Sequence, residues 1–252
     1  MKRVAISGKG GSGKNTITAT LARLTGRSLG GLLAVEGDPN PNLARSMGVE
    51  RSEWPLLPKE ILEVVEEDGV RRSRLAMPML EVIEKYAVTG PDNVHILALG
   101  EVDHASQGCL CGKHAIVREV VGAAMAEGDE AVIVDMEASL EHMRRGTIRH
   151  VDTLLIITEP YYRALESAGR LVRLAREMNI PNVLGVANKV RSKAEEEAIR
   201  SYLDPLGVPL VAVIPMDDSV GQADLQGKAL LDLYPDAPAV TAIQGLSQHL
   251  FA

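Results

Sequence analysis

The chain alternates short apolar runs with longer amphipathic segments, and this rhythm constrains its fold more than any other feature. The runs are apolar throughout, which is typical of strands buried on both faces of a sheet. They are Val4–Ser7, Leu32–Val35, His95–Leu99, Ala131–Asp135, Thr153–Thr158, Val183–Asn188 and Leu210–Ile214. Helical patterns lie between them at Lys14–Leu24, Lys113–Ala126, Tyr162–Met178 and Ala194–Leu203. Strands and helices in alternation predict an α/β fold with a mostly parallel sheet flanked by helices on both faces.

The rhythm is continuous enough to predict one domain over residues 1–252. It breaks only between residues 49 and 92, where the chain is charged and lacks a clear apolar run. That segment contains four prolines, Pro55, Pro58, Pro78 and Pro91. We predict a helical insertion with loops there. It serves either as a solvated cap or as a surface for a partner.

Composition excludes several classes of protein. A net charge of −7 disfavours non-specific nucleic-acid binding, which requires a cationic surface. No apolar run reaches the length of a membrane span, and the strand-like start leaves no room for a signal peptide. Two cysteines in 252 residues do not make a disulfide scaffold. The expectation is an acidic cytoplasmic protein that binds neither membrane nor nucleic acid.

A glycine-rich loop follows the first predicted strand. Residues Gly8–Lys14 match the pattern G-x-x-x-x-G-K, between a strand and a helix, which is the context that this phosphate-binding motif requires. Glycines let backbone N–H groups approach an anion, and the helix N-terminus and Lys14 add positive charge. The sequence therefore predicts a nucleotide site. Its contacts at the loop would be Gly10, Gly11, Ser12, Gly13, Lys14, Asn15 and Thr16.

Position 15 departs from the motif. A serine or threonine is expected there, because its hydroxyl binds the Mg²⁺ that bridges the phosphates. The chain has Asn15, whose carbonyl oxygen also binds a hard cation but sits on a longer side chain. We expect weakened Mg²⁺ coordination and slow hydrolysis. Asn15 is either the natural residue of this protein or an altered residue that traps the protein in one state.

The run Lys9–Lys14 resembles the deviant Walker A motif, which has a second lysine near the start of the loop. That motif marks the superfamily of P-loop NTPases that contains MinD, ParA, the nitrogenase iron protein and metallocentre-insertion ATPases. The resemblance implies binding of ATP or ADP with Mg²⁺ and a homodimer that forms over the nucleotide. It also implies a catalytic role for Lys9, which would reach the partner's nucleotide, beside Lys14.

Three further segments fit the same superfamily. Asp38 follows the second strand, where the family places an acidic residue near the attacking water and the Mg²⁺. Asp135 ends an apolar run, as a Walker B aspartate does, and would support Mg²⁺ through water. Asn188 ends another strand, where the family's asparagine reads the edge of adenine. The resemblance adds a second loop beside the base, made by Pro215, Met216 and Asp217.

Both cysteines of the chain lie in one C-x-C pair, Cys109 and Cys111. Two thiolates do not complete a tetrahedral metal site, which needs four ligands. A symmetric dimer presents the same patch twice at its axis, so two pairs supply four thiolates for Zn²⁺, Cu(I) or Ni²⁺. The alternative is a pair of idle or buried cysteines.

The segments 108–111 and 135–142 resemble the CooC type, the nickel-insertion ATPases that mature carbon monoxide dehydrogenase. This resemblance implies Ni²⁺ or Zn²⁺ held by Cys109 and Cys111 of two chains. It implies delivery of the metal to a client similar to carbon monoxide dehydrogenase. The nitrogenase iron protein instead uses separated cysteines, unlike the adjacent pair here.

Two other functions remain open. A ParA-like or MinD-like partition or positioning ATPase would need a basic patch or a basic C-terminal amphipathic helix. Residues 239–252 contain no Lys or Arg. A non-hydrolysing nucleotide sensor is the third candidate, and Asn15 favours it.

Overall fold

The computed structural model describes residues 2–37, 42–50, 55–98, 111–124, 131–137 and 150–251, with the backbone alone described at 67, 111–114 and 137. Its strands are β1 (Lys2–Gly8), β2 (Leu32–Glu36), β3 (Leu62–Glu67), β4 (Val70–Leu75), β5 (Ala87–Thr89), β6 (Val94–Ala98), β7 (Ala131–Glu137), β8 (Thr153–Thr158), β9 (Asn182–Val190) and β10 (Leu210–Pro215). Its helices are α1 (Lys14–Leu29), α2 (Leu43–Ser46), α3 (Met79–Tyr86), α4 (Cys111–Ala124), α5 (Tyr162–Glu177), α6 (Lys193–Leu203), α7 (Asp218–Leu225), α8 (Leu230–Leu233) and α9 (Pro238–Phe251).

Within these residues, eight strands form one sheet in the order β10-β9-β8-β1-β7-β2-β6-β5. All neighbouring strands are parallel except β5, which pairs antiparallel with β6 at the edge. The predicted parallel sheet is confirmed. The seven apolar runs of the sequence correspond to its seven parallel strands.

Two apolar layers cover the sheet. Helices α3 to α6 pack on one face, around residues such as Val134 and Ile156. Helices α1, α2 and α7 to α9 pack on the other, around Ile6 and Ile133. The prediction of helices on both faces is therefore confirmed. No helix in the described part of the chain combines the length and apolar character that a membrane crossing requires.

The segment from 49 to 92 differs from the predicted helical insertion. Among its described residues, 49–50 and 55–92, the one helix of more than a single turn is α3, and β3 and β4 form an antiparallel hairpin. The turn at Asp68 and Gly69 has φ values of 53° and 73°, as a two-residue type I′ turn requires. Charged cross-strand pairs such as Glu63 and Arg74, 2.6 Å apart, support the strands. The strands escaped prediction because they are rich in charge rather than apolar.

Candidate functional site

The glycine-rich loop joins β1 to α1 at the carboxyl edge of the sheet. Gly11 and Gly13 have φ values of 82° and 86°, a region that residues with a Cβ rarely adopt. Gly13 caps α1, and a Cβ there would collide with the side-chain amide of Asn188. The loop conformation therefore depends on glycine at these two positions, as the motif predicts.

Lys14 lies in the centre of the site with its side chain almost buried. Its Nζ is 2.7 Å from Oδ1 of Asp135 and 2.9 Å from Oδ1 of Asn15. The carboxylate of Asp135, two residues before the end of β7, is fully buried. The structure thus brings together three of the residues that the sequence singled out, around one positive charge.

Glu36 is a site residue that the sequence reasoning missed. It ends β2 directly beside Asp135 in the parallel pairing, so both carboxylates lie on the face that α1 covers. Glu36 is fully buried, and its Oε1 accepts a hydrogen bond of 2.6 Å from the N–H of Leu43. The signal was present in the sequence, since Glu36 ends an apolar run as Asp135 does.

A largely apolar pocket of about 210 Å³ adjoins the loop. It contains Asn188, Pro215, Met216 and Asp217, the residues predicted to surround adenine, beside Gly13 and Thr16 of the loop and start of α1. Ile17, Val220, Leu230, Ala239 and Ile243 supply most of its apolar surface. A flat aromatic base fits such a lining, since apolar walls with a few polar groups are typical of ligand pockets.

Two polar side chains in this pocket have partners of their own. The Asn188 Nδ2 donates to the carbonyl oxygen of Ser12 at 2.7 Å, so its Oδ1 is the atom left to accept from an exocyclic amine. The Asp217 carboxylate caps α7 and accepts from the N–H groups of Ser219 and Ala239, at 2.9 and 3.0 Å. Burial raises the pKa of Asp217, but these amide donors outweigh it and hold the pKa below its ordinary value. Asp217 is therefore ionised in place.

The structure describes the remaining predicted site residues to different extents. Lys9 is exposed at the tip of the loop. Asp38 and Cys109 lie outside the described residues. Cys111 is the first residue of α4, with only its backbone described. In the part of the chain whose side chains are described, no group of three or more His, Cys, Asp or Glu residues is arranged to hold a metal ion.

The geometry suits a phosphate chain with a divalent cation. The oxygens of Asn15 and Asp135 already lie around the Lys14 ammonium, and hard cations prefer such oxygen ligands. These two residues would hold Mg²⁺, which would supply positive charge to neutralise the phosphates. The protein's own contribution is the loop N–H groups, the Lys14 charge and the exclusion of water around Asp135.

Comparisons with known proteins agree with this geometry. Residues 4–231 match the family described as the CobQ/CobB/MinD/ParA nucleotide binding domain. The carbon monoxide dehydrogenase accessory protein CooC of Rhodospirillum rubrum is 33% identical, over 92% of this chain and 90% of that protein. An uncharacterised ATP-binding protein of Methanocaldococcus jannaschii is 32% identical, over 90% of each chain.

Solved structures share the fold. MinD from Pyrococcus horikoshii, in complex with Mg-ADP, matches with a TM-score of 0.74 at 20% identity, over 98% of this chain and 95% of that one. A ParA family ATPase from Chlorobium tepidum matches with a TM-score of 0.73 at 20% identity, over 99% and 98%. The chain therefore belongs to the CobQ/CobB/MinD/ParA nucleotide-binding family, as a P-loop ATPase of the MinD/ParA superfamily.

Proposed function

We propose that this protein is a metallocentre-maturation ATPase that dimerises on ATP binding. It carries Ni²⁺ or Zn²⁺ between the C-x-C pairs of two chains and delivers it to a client similar to carbon monoxide dehydrogenase. Hydrolysis opens the dimer and releases the metal. Within the superfamily, the C-x-C pair at Cys109 and Cys111 is the observation that carries this proposal, and the likeness to CooC supports it.

The position of α4 is consistent with the proposal. This helix begins at Cys111 and follows β6, whose carboxyl end lies at the same edge of the sheet as the phosphate loop. In the sheet, β6 is the third strand from β1, so about 14 Å separates the carboxyl ends of these two strands. A helix N-terminus favours the thiolate form of nearby cysteine, which is the form that binds metal. One dimer interface along this edge would meet both nucleotide and metal.

The proposed nucleotide chemistry combines side chains that the structure describes with Asp38, whose role rests on the sequence motif alone. Lys14 binds the phosphates, Asn15 and Asp135 hold Mg²⁺, and Asp38 orients the attacking water. Lys9 places its charge on the phosphates bound by the partner, where it stabilises negative charge that develops during transfer. Pro215, Met216 and Asp217 flank the base, and the Asn188 Oδ1 accepts from its amine.

A non-hydrolysing nucleotide sensor is the second candidate function. Asn15 supports it, because its Oδ1 accepts a hydrogen bond from Lys14 where the motif has a hydroxyl for Mg²⁺. A sensor would dimerise with ATP without turning it over. A partition ATPase would instead bind DNA in a salt-dependent manner, which the net charge of −7 disfavours.

Metal titration tests the proposal. We expect the purified protein with ATP to bind one Ni²⁺ or Zn²⁺ for every two chains, counted by elemental analysis against protein concentration. The Cys109→Ser/Cys111→Ser variant should lose this metal, because hydroxyl groups replace the thiolates. One metal on each separate chain, or metal retained by the double cysteine variant, would overturn the shared site.

A matched variant guards against an indirect effect on folding. His104 and His114 flank the same segment. The His104→Ala/His114→Ala variant keeps both thiols and should retain one metal for two chains. Loss of metal in this variant, with the cysteines intact, would contradict a site made of the four thiolates alone.

A further inference from the structure

Lys189 adopts a backbone conformation that is unusual for its residue type. Its φ is 58°, in the left-handed region. The other non-glycine residues with positive φ in the described chain are all Asp or Asn, which tolerate this region through local hydrogen bonds. Lysine gains no such compensation, and strain of this kind persists only where the surroundings impose it.

The strain coincides with an irregularity in β9. The pairing of β9 with β10 shifts register between Ala187 and Val190. Successive side chains of a regular strand point to opposite faces, and a bulge re-aims them. Here the irregularity directs two consecutive side chains, Asn188 and Lys189, to one target, the phosphate loop.

Lys189 holds a main-chain group of that loop. Its Nζ donates to the carbonyl oxygen of Gly11 at 2.5 Å and forms an ion pair of 2.8 Å with Oε1 of Glu159. Glu159 directly follows β8, and its side chain is 13% exposed, against 35% for Lys189. The ends of β8 and β9 are thereby connected to the loop by one charged contact.

Asn188 also bonds to the loop, through the carbonyl oxygen of Ser12. A Cβ built on Gly10 or Gly11 would meet no atom of the described residues within 4 Å, so these residues leave that side of the tip open. Within the tip, the N–H of Ser12 donates to the carbonyl oxygen of Lys9 at 3.0 Å. Because the C=O and N–H of a trans peptide point in opposite directions, the bond from Lys189 to Gly11 orients the Ser12 N–H. Lys189 therefore supports the turn that carries Lys9.

We propose that Lys189, oriented by Glu159, is a positioning residue that holds the tip of the phosphate loop in its nucleotide-binding conformation. The proposal depends on the loop binding phosphate, as the family assignment indicates, and not on the metal or the client. Lys189 raises the affinity for nucleotide through its bond to the backbone of Gly11. A failure of the metal experiment leaves this proposal intact.

Three substitutions at one position separate positioning from general stability. Lys189→Met removes the ammonium and keeps most of the stem. Lys189→Arg restores a charged donor. Lys189→Gly removes the ammonium and also relieves the strained φ, so its thermal unfolding midpoint should not fall. The readouts are the Kd for Mg-ADP and Mg-ATP by calorimetry and the unfolding midpoint of the nucleotide-free protein.

We expect Lys189→Met and Lys189→Gly each to raise both Kd values about tenfold, with Lys189→Arg within about threefold of the parent protein. Lys193→Met, an exposed lysine at the start of α6, is the matched control and should leave Kd unchanged. Glu159→Gln should raise both Kd values by an intermediate factor, because the glutamine keeps a hydrogen-bond acceptor for Lys189 and loses the negative charge. A Kd for Lys189→Met within twofold of the parent would overturn the proposal. So would normal affinity in Lys189→Gly, since strain alone would then explain the residue.

Discussion

At the scale of single residues, the unusual group is Asn15, beside Lys14, the lysine that the motif predicts to bind phosphate. Its Oδ1 accepts a hydrogen bond from the Lys14 ammonium, which also pairs with the buried Asp135. Nucleotide binding has to exchange this buried contact for a bond to phosphate. The amide thus competes for Lys14 and also stands where a hydroxyl would bind Mg²⁺.

Replacing Asn15 by threonine should therefore raise ATP turnover. We expect Asn15→Thr to increase kcat by about tenfold or more, which corresponds to at least about 1.4 kcal/mol of transition-state stabilisation. The measurement is phosphate release at saturating Mg-ATP. Asn15→Ala is the control, because it removes the amide without adding a hydroxyl and should not give the gain. Equal turnover in the parent protein and Asn15→Thr would refute this account of Asn15.

Local residue types account for what could be predicted at this scale. The unusual backbone of the loop was predictable, because glycine is the residue that most readily adopts the positive φ values found at Gly11 and Gly13. The bond from Asn188 to Ser12 was not, because it joins residues 176 positions apart. The burial of Glu36 beside Asp135 likewise depends on the strand order, which the sequence pattern does not specify.

At the scale of elements, a buried arginine connects α1 to its surroundings. The Arg23 side chain, 4% exposed, forms ion pairs of 2.7 Å with Asp92, next to β6, and with Asp232 of α8. Arg27 also pairs with Asp92, at 2.6 Å, but is 47% exposed. Because α8 contributes Leu230 to the apolar pocket beside the glycine-rich loop, this cluster supports one wall of the proposed base pocket.

Removing Arg23 should destabilise the protein. We expect Arg23→Met to lower the free energy of unfolding by about 2–3 kcal/mol, somewhat below the cost of breaking a fully buried pair, because Asp92 keeps Arg27 and Asp232 is half-exposed. Arg27→Met is the matched control and should cost less than about 1 kcal/mol, as exposed pairs do. Denaturant unfolding at neutral pH measures both. Equal losses in the two variants would contradict the assignment.

The same cluster gives a pH dependence with a definite sign. Burial raises the pKa of Asp92, but hydrogen bonds from Arg27 and Arg23 outweigh it and hold the pKa below its ordinary value. A carboxylate with a lowered folded pKa stabilises the protein above its unfolded pKa of about 3.8 and loses that contribution as the pH falls through the folded value. The stability difference between the parent protein and Arg23→Met should therefore shrink in that acid range.

The elements also show where a sequence pattern is informative. Parallel strands such as β8 have buried apolar runs, and the predicted bounds of β8, Thr153–Thr158, agree with the structure. The hairpin of β3 and β4 is held by its turn and by charged pairs, so its strands carry no apolar run. In the sequence, the dipeptide Asp68-Gly69 indicates a turn, but it does not indicate that the turn joins two strands.

At the scale of the whole molecule, the parallel sheet collects the predicted chemistry at one edge. The phosphate loop, Asp135 and the start of α4 all lie where parallel strands end. Ligands of open α/β sheets bind at this edge for the same reason. Under the proposed function, a second copy that covers this edge would meet the exposed Lys9 and the first turn of α4, so one association step would serve both proposed sites.

Native mass spectrometry tests that central claim most directly, because it counts chains, nucleotides and metal ions in one particle. With Mg-ATP and Ni²⁺, the account predicts a particle of two chains, two nucleotides and one metal ion. With Mg-ADP it predicts single chains without the shared metal. The same assembly and metal content in both nucleotide states would contradict it.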